Sequence, residues 1–224
     1  MELSELKIID LKESILADND ADAAKLRGET KDMGVYYINV MSSPGAGKTT
    51  TLLNLIDQLR SDYRIGVLEA DIDGDVDTRT MLDAGVASVQ LHTGGMCHLD
   101  ADMSRQSLKE IGAEDLDLVI LENVGNLVCP AEFDTGADLD LVILSVPEGD
   151  DKPLKYPLMF EKADLVCLNK IDALEAFDFD LDKFRANVAL RNPDAPVFPY
   201  SAATGEGVKE IADWLRAKID AKIK

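Results

Sequence analysis

Positive charge is what this sequence is short of. Lysine and arginine together number 23 against 43 aspartates and glutamates, a formal net charge of −20. Phosphate backbones and anionic membranes reward clustered basic side chains, so neither nucleic acid nor a membrane is an expected partner. Cysteine is scarce too: three residues, an odd number, build no even disulfide framework and suit a reducing compartment. No apolar run approaches the length that spans a bilayer. The start, Met1-Glu2-Leu3-Ser4-Glu5, lacks the basic and apolar pattern of a secretory leader, and the expected location is the cytoplasm. Internal repeats and low-complexity segments are absent. At 224 residues the chain is long enough for one sizeable domain with an extension.

Against that acidic background one stretch stands apart. Val35–Met41 reads as a β-branched and aromatic strand, and Thr50–Ile56 as the helix after it. Between them runs Ser42-Ser43-Pro44-Gly45-Ala46-Gly47-Lys48-Thr49-Thr50, a phosphate-binding loop. In such a loop, backbone N–H groups and a helix N-terminus converge on phosphate oxygens. Gly45 and Gly47 admit close approach, Lys48 reaches the β- and γ-phosphates, and Thr49 offers a hydroxyl to Mg²⁺. Ser42 stands where the strict pattern has glycine.

A second motif bears on the base. The strand Ala163–Leu168 runs into Asn169-Lys170-Ile171-Asp172, an N-K-x-D pattern that resembles the guanine-recognition motif of GTPases. A carboxylate that accepts two hydrogen bonds from guanine is left unsatisfied by adenine, so Asp172 would select the nucleotide. Ser201-Ala202-Ala203-Thr204-Gly205 resembles the last guanine-contacting loop of the same fold.

The rest of the text alternates apolar strands with amphipathic helices. Strands are expected at 35–41, 64–69, 86–91, 117–122, 139–146, 164–169 and 196–200. Helices are expected at 49–60, 76–84, 99–111, 153–162, 181–191 and 206–222. Near-continuous apolar runs suit a mostly parallel sheet of about seven strands covered by helices on both faces. Every motif falls at a strand's carboxyl end, where such sheets bind ligands. Residues 1–34 form an N-terminal helical extension, with Leu3, Leu6, Leu11, Ile15 and Leu16 at helical spacing. Asp18–Asp22 reads as its weak point and 28–34 as the connection to a main domain over 35–224.

Two of the cysteines sit in polar loops at the active edge. Cys97-His98 follows the strand ending near Leu91, and Cys129 follows the strand 117–122. Thiolate and imidazole suit Ni²⁺ or Zn²⁺, and three such ligands leave a position open. Cys167, inside a strand, reads as core. Glu122-Asn123-Val124-Gly125 has the form of a γ-phosphate sensor, with Glu122 toward Mg²⁺ and the Gly125 N–H toward the γ-phosphate. Cys129 lies seven residues beyond Glu122, so hydrolysis could reshape the metal site.

Taken together, Ser42–Thr50, Cys97-His98-Leu99-Asp100, Glu122–Pro130, Glu148-Gly149-Asp150-Asp151-Lys152, Asn169–Asp172 and Ser201–Gly207 resemble the HypB family, the GTPases that help insert nickel into [NiFe]-hydrogenase. The resemblance implies an α/β P-loop NTPase of the SIMIBI type. Its guanine nucleotide would be held by Ser43, Pro44, Gly45, Ala46, Gly47, Lys48, Thr49, Thr50, Asn169, Lys170, Asp172, Ser201 and Ala202. Lys48, Thr49, Glu122 and Gly125 would carry a slow hydrolysis, since no Gln or Arg finger is evident. Mg²⁺ would be held by Thr49, Glu122 and either Asp71 or Asp77. Cys97, His98 and Cys129 would bind Ni²⁺ or Zn²⁺ at the interface of a homodimer promoted by GTP and metal. The implied partners are a HypA-type nickel metallochaperone and the precursor of the hydrogenase large subunit. Residues 1–34 carry none of the Cys- or His-rich nickel motifs found in some relatives. Alternatives are a related accessory GTPase for urease or a cobalamin enzyme, and a phosphotransferase acting on a small molecule.

Overall fold

The computed structural model describes residues 11–71, 76–92 and 95–223. Seven strands form one sheet: β1 (Tyr36–Ser42), β2 (Ile65–Asp71), β3 (Ala87–His92), β4 (Leu118–Glu122), β5 (Leu139–Ser145), β6 (Leu165–Asn169) and β7 (Val197–Pro199). All pair in parallel, in the order β3-β2-β4-β1-β5-β6-β7. Each strand lies within two residues of its expected position. β1, β4 and β6 are buried at every residue, which is why their sequences read as unbroken apolar runs.

The helices are α1 (Leu11–Met33), α2 (Lys48–Leu59), α3 (Val76–Asp83), α4 (Ala101–Glu110), α5 (Cys129–Glu132), α6 (Lys152–Lys155), α7 (Pro157–Lys162), α8 (Leu181–Ala189) and α9 (Val208–Ile223). The pleat of β1 divides the core between two layers. Tyr36, Ile38 and Val40 face α2 and α9 with Leu52, Leu55, Ile211 and Leu215. Tyr37 packs on the other face with Leu26, Leu108 and Val119, and Met41 with Leu127, Val142 and Phe160. Asn39 sits between these two clusters on that second face. It is buried and donates from Nδ2 to Asp140 Oδ1 of the neighbouring strand at 2.8 Å.

Three expectations change. The helix expected over 153–162 is two short ones, because Pro157 disfavours helical geometry at the residue before it, and Tyr156 sits at φ −127°, ψ 60°. Asp18–Asp22 is no break: α1 runs through it, held by a buried stripe of Asn19, Ala23, Leu26 and Thr30 at helical spacing. The connection expected over 28–34 shrinks to one turn. Gly34, at φ +76°, closes the helix with Gly34 N–H donating to Lys31 O and Val35 N–H to Thr30 O. Of the expected apolar positions in α1, Leu3, Leu6, Leu11 and Ile15 lie outside the described side chains, and Leu16 is half-buried.

Candidate nucleotide and metal site

The centre of the sheet is where strand order reverses, and β1 ends there in the phosphate loop. Gly45 and Gly47 have φ +76° and +94°, values that L side chains resist. Gly47 is constrained twice, since a Cβ there would stand 2.5 Å from Asn169 Nδ2. Lys48 opens α2 and donates from Nζ to Ser42 Oγ at 3.1 Å, folding its ammonium over the loop. A cleft of about 400 Å³ opens on this loop. Its walls are Pro44, Gly47 to Thr50, Glu69 and the segment Glu122–Gly125.

Asn169 braces this loop from β6. Its Nδ2 donates to Ala46 O at 2.9 Å, and its Oδ1 accepts from Ala202 N–H at 2.9 Å and Lys170 N–H at 2.7 Å. Lys170 adopts φ +65° and donates from Nζ to Gly45 O at 2.7 Å. Ser201 Oγ donates to Asp172 Oδ1 at 2.5 Å, which holds that carboxylate at the loop's edge. Asn54 Nδ2 fixes the Ala202 carbonyl at 2.7 Å. Three loops far apart in sequence are thus locked into one frame.

On the other side of the cleft, β2 and β4 place Glu69 and Glu122 in register on adjacent strands. Both are buried, at 3% and 4% exposure. Thr49 Oγ1 donates to Glu122 Oε1 at 3.0 Å. A hydroxyl and two carboxylates in one wall are the hard oxygen donors that a Mg²⁺ ion selects. Gly125 packs on Pro44 so tightly that a Cβ would meet it at 3.2 Å, so this segment touches the phosphate loop directly. Asp71 closes β2 and Asp77 lies in α3, but as side chains both fall outside the described residues.

The same segment continues to the thiols. Cys129 opens α5, and its thiol meets that of Cys97; this hydrogen bond, followed by burial, pushes the Cys97 thiol above its usual range. His98 Nδ1 lies 4.0 Å from Cys97 Sγ. Its ring stacks on Phe133 with centroids 3.7 Å apart and planes 12° from parallel. Burial lowers the His98 pKa, with Asp100 and Glu132 opposing. Both cysteines are partly exposed, and the neighbouring Met96 and Val128 are 44% and 49% exposed. Among the described residues, no three of His, Cys, Asp and Glu converge on one point as a bound metal would require. Cys167 is fully buried in β6, as its sequence context implied.

With this geometry in view, comparison with known proteins decides the family. The model of the CobW/HypB/UreG nucleotide-binding domain matches residues 36–199. The hydrogenase maturation factor HypB of Azotobacter chroococcum mcd 1 is 43% identical over 98% of this chain and 74% of its own length. The chain belongs to the HypB family. The hydrogenase/urease maturation factor HypB of Helicobacter hepaticus is 41% identical over 95% of the chain and 88% of its own length. The crystal structure of HypB from Helicobacter pylori in complex with nickel superposes with a TM-score of 0.86 at 39% identity, covering 92% of this chain and 97% of that one. The signal recognition particle receptor FtsY of Elizabethkingia anophelis, at 17% identity and a TM-score of 0.54 over 84% of this chain and 70% of that one, shares the fold alone. The chain is therefore a P-loop protein with the nucleotide-binding domain of that family.

Sequence reasoning missed four contributors to this region. Glu69 heads the acidic stretch Glu69–Asp77 in which Asp71 and Asp77 were preferred as Mg²⁺ holders, and the β2–β4 pairing is what singles it out. Glu148 hydrogen-bonds the Ser43 hydroxyl with one oxygen while the other accepts from Ser145 N–H and Oγ, both at 2.8 Å, linking the end of β5 to the phosphate loop. Asn123, wholly buried, donates to Asn39 Oδ1 at 3.0 Å and ties the sensor segment to β1. Phe133 stacks on His98. Glu148 and Asn123 lie in quoted motifs, which was the available signal for them; Phe133 depends on spatial neighbours.

Proposed function

We propose that this protein is a GTP-hydrolysing metallochaperone that carries nickel toward a [NiFe]-hydrogenase precursor during maturation. One observation carries the reading: the segment from Glu122 to Phe133 touches both sites. At its start Glu122 accepts from Thr49 and Gly125 packs on Pro44; at its end Cys129 meets Cys97 and Phe133 covers His98. A segment so short transmits a change at one end to the other, so nucleotide state and metal affinity are coupled.

In this reading Asp172 and Asn169 select guanine, Lys48 and the loop amides hold the phosphates, and Ser43 to Thr50 cradle the nucleotide. Thr49, Glu122 and Glu69, with Asp71 or Asp77, are the candidate Mg²⁺ holders; when bound, that ion neutralises phosphate charge. Glu122 and Gly125 sense the γ-phosphate, and Lys48 stabilises the charge that develops on it. Turnover is slow in this reading, since no Gln or Arg finger is evident in the sequence. Cys97, His98 and Cys129 bind Ni²⁺ or Zn²⁺ at a site that a second copy completes in the GTP-bound homodimer. Exposed Met96 and Val128 beside the ligands supply the apolar contact for that copy. The partners that follow are a HypA-type nickel metallochaperone and the hydrogenase large-subunit precursor, in the cytoplasm. Among the described residues no helix is long and apolar enough to cross a membrane. The Helicobacter hepaticus relative is named for hydrogenase and urease together, which favours urease as a second destination.

Titrating Ni²⁺ into protein loaded with GDP or a non-hydrolysable GTP analogue tests the coupling. Affinities that differ severalfold support it, matched by the same factor in nucleotide affinity when metal is present. Identical affinities with an unchanged monomer–dimer balance would leave a GTPase without a chaperone mechanism.

A further inference from the structure

The two loops that carry the thiols and the imidazole come from different parts of the sheet edge, and α1 holds them together. Asn19 is buried at 9% exposure in the stripe that α1 presents to the domain. Its amide uses both ends across the gap. Oδ1 accepts from Ala101 N–H at 2.9 Å, and Nδ2 donates to the Asp134 carbonyl at 2.9 Å. Ala101 is three residues beyond His98, and Asp134 is five beyond Cys129. Ala101 is also the first residue of α4, so its N–H has no partner within the helix and Asn19 supplies one.

Neighbouring contacts extend this join. Arg27, two turns further along α1, donates to Asp134 Oδ1 at 2.6 Å and to the Ala137 carbonyl at 2.8 Å. Phe133, adjacent to Asp134, stacks on His98. Asp100, adjacent to Ala101, caps α4 by accepting from Met103 N–H at 2.8 Å. An amide that satisfies one backbone donor and one backbone acceptor fixes both strands of a gap in distance and orientation. Such a group costs more to remove than an exposed contact, because each partner is left buried and unsatisfied.

We propose that Asn19 is a positioning residue for the metal site, its single amide setting the spacing between the Cys97–His98 loop and the Cys129 loop. The proposal rests on the reading of those three residues as metal ligands and gives the N-terminal helix a role in that site. Groups that orient ligands without touching the metal typically change affinity by roughly 10–100-fold. The Asn19 amide bonds Ala101 and Asp134 and no atom of the phosphate loop, so its removal is read at the metal site.

The test uses the full chain loaded with GDP and titrated with Ni²⁺. Affinity and the thiolate-to-nickel charge-transfer absorption are both recorded. Asn19→Ala and Asn19→Leu are compared with Glu29→Ala. The leucine keeps packing volume if the alanine variant folds poorly. The control breaks the 2.9 Å tie from Glu29 to Arg105 between the same two helices, away from the loops. Both Asn19 variants are expected to lose roughly tenfold or more in affinity and to show a weakened charge-transfer band. Glu29→Ala is expected to match the parent in both metal readouts. Parent-like affinity and absorption in Asn19→Leu overturn the proposal, as does an equal loss in Glu29→Ala. Cys129→Ser in the same titration separates the two levels: parent-like binding there overturns the ligand assignment itself, whereas its loss beside a parent-like Asn19→Leu overturns only the positioning role.

Discussion

The phosphate loop and the metal loops lie at the same edge of the sheet, yet they are built differently. Around the phosphates, Asn169, Lys170, Ser201 and Asn54 lock three loops with hydrogen bonds of 2.5–2.9 Å, most of them to backbone atoms. Around the thiols, the loops meet through one thiol pair, one ring stack and the Asn19 amide. The first region is set before any ligand arrives, which suits a site that must stabilise developing charge without reorganising. The second is half-exposed and loosely tied, which suits a site that must both take and release its cargo. Rigidity is placed at the phosphate loop and compliance at the proposed metal loops.

If that contrast holds, damage to the rigid end should be severe and should not spread. Lys48→Ala is expected to lower GTP turnover by on the order of 10³-fold, since it removes the one fixed charge at the developing γ-phosphate. Nickel affinity in the GDP state should stay at the parent value. Turnover within a few-fold of the parent would remove the phosphate loop from the mechanism. Asp172→Asn is next: one of the two acceptors for guanine and the negative charge are lost, and an amide donor then faces a guanine donor, which weakens GTP by roughly 10²-fold or more. Xanthosine triphosphate, which carries a carbonyl acceptor where guanine has its amino donor, should bind better to that variant than to the parent. Equal GTP binding in parent and variant, measured calorimetrically, would sink the guanine assignment.

At the compliant end the expected losses are smaller and shared. Cys97→Ala, His98→Ala and Cys129→Ala should each lose most of the Ni²⁺ or Zn²⁺ affinity, at least the roughly 10–100-fold that removing an orienting group costs. Cys167→Ala should retain it, since that thiol is enclosed in the core. Equilibrium dialysis against a chromogenic chelator reads all four. Equal losses for Cys167 would show that the variants act through stability and not as ligands.

How much of this was legible depends on whether the cause is local. The strands were, because burial on both faces writes itself into runs such as Leu118–Leu121. The phosphate loop was, because its geometry demands glycine at positive φ beside Lys48. The break at Tyr156 was written in Pro157 but outweighed by the apolar spacing around it. The buried stripe of α1 was hidden because two of its members, Asn19 and Thr30, are polar and read as surface. Glu69 faced Glu122 only once strand order put β2 beside β4, which no linear spacing encodes.

One residue joins the two ends and gives the smallest, most specific test. Asp140 lies in the wall of a cavity of about 230 Å³ beneath Pro130–Asp134, the segment that follows Cys129. Through Asn39 it is linked to Asn123 in the sensor segment. Burial, reinforced by Asp164 and Asp134, pushes its pKa up to about 7, while the Asn39 hydrogen bond and Arg27 hold it down. The native state therefore keeps a proton between about pH 4 and 7 that the unfolded chain, with its ordinary carboxyl, has released. Stability from this group is full below pH 4 and declines as pH rises toward 7. Asp140→Asn keeps the acceptor for Asn39 and removes the titration. Relative to the parent the variant should gain nothing near pH 4 and, with solvent access discounting the shift, on the order of 1 kcal/mol by pH 8. Denaturant unfolding of both proteins at pH 4, 6 and 8 measures the gap. A gap that stays constant across that range would mean Asp140 ionises alike in the folded and unfolded chain, and at neutral pH the polar link between the two sites would then carry a charge and not a proton.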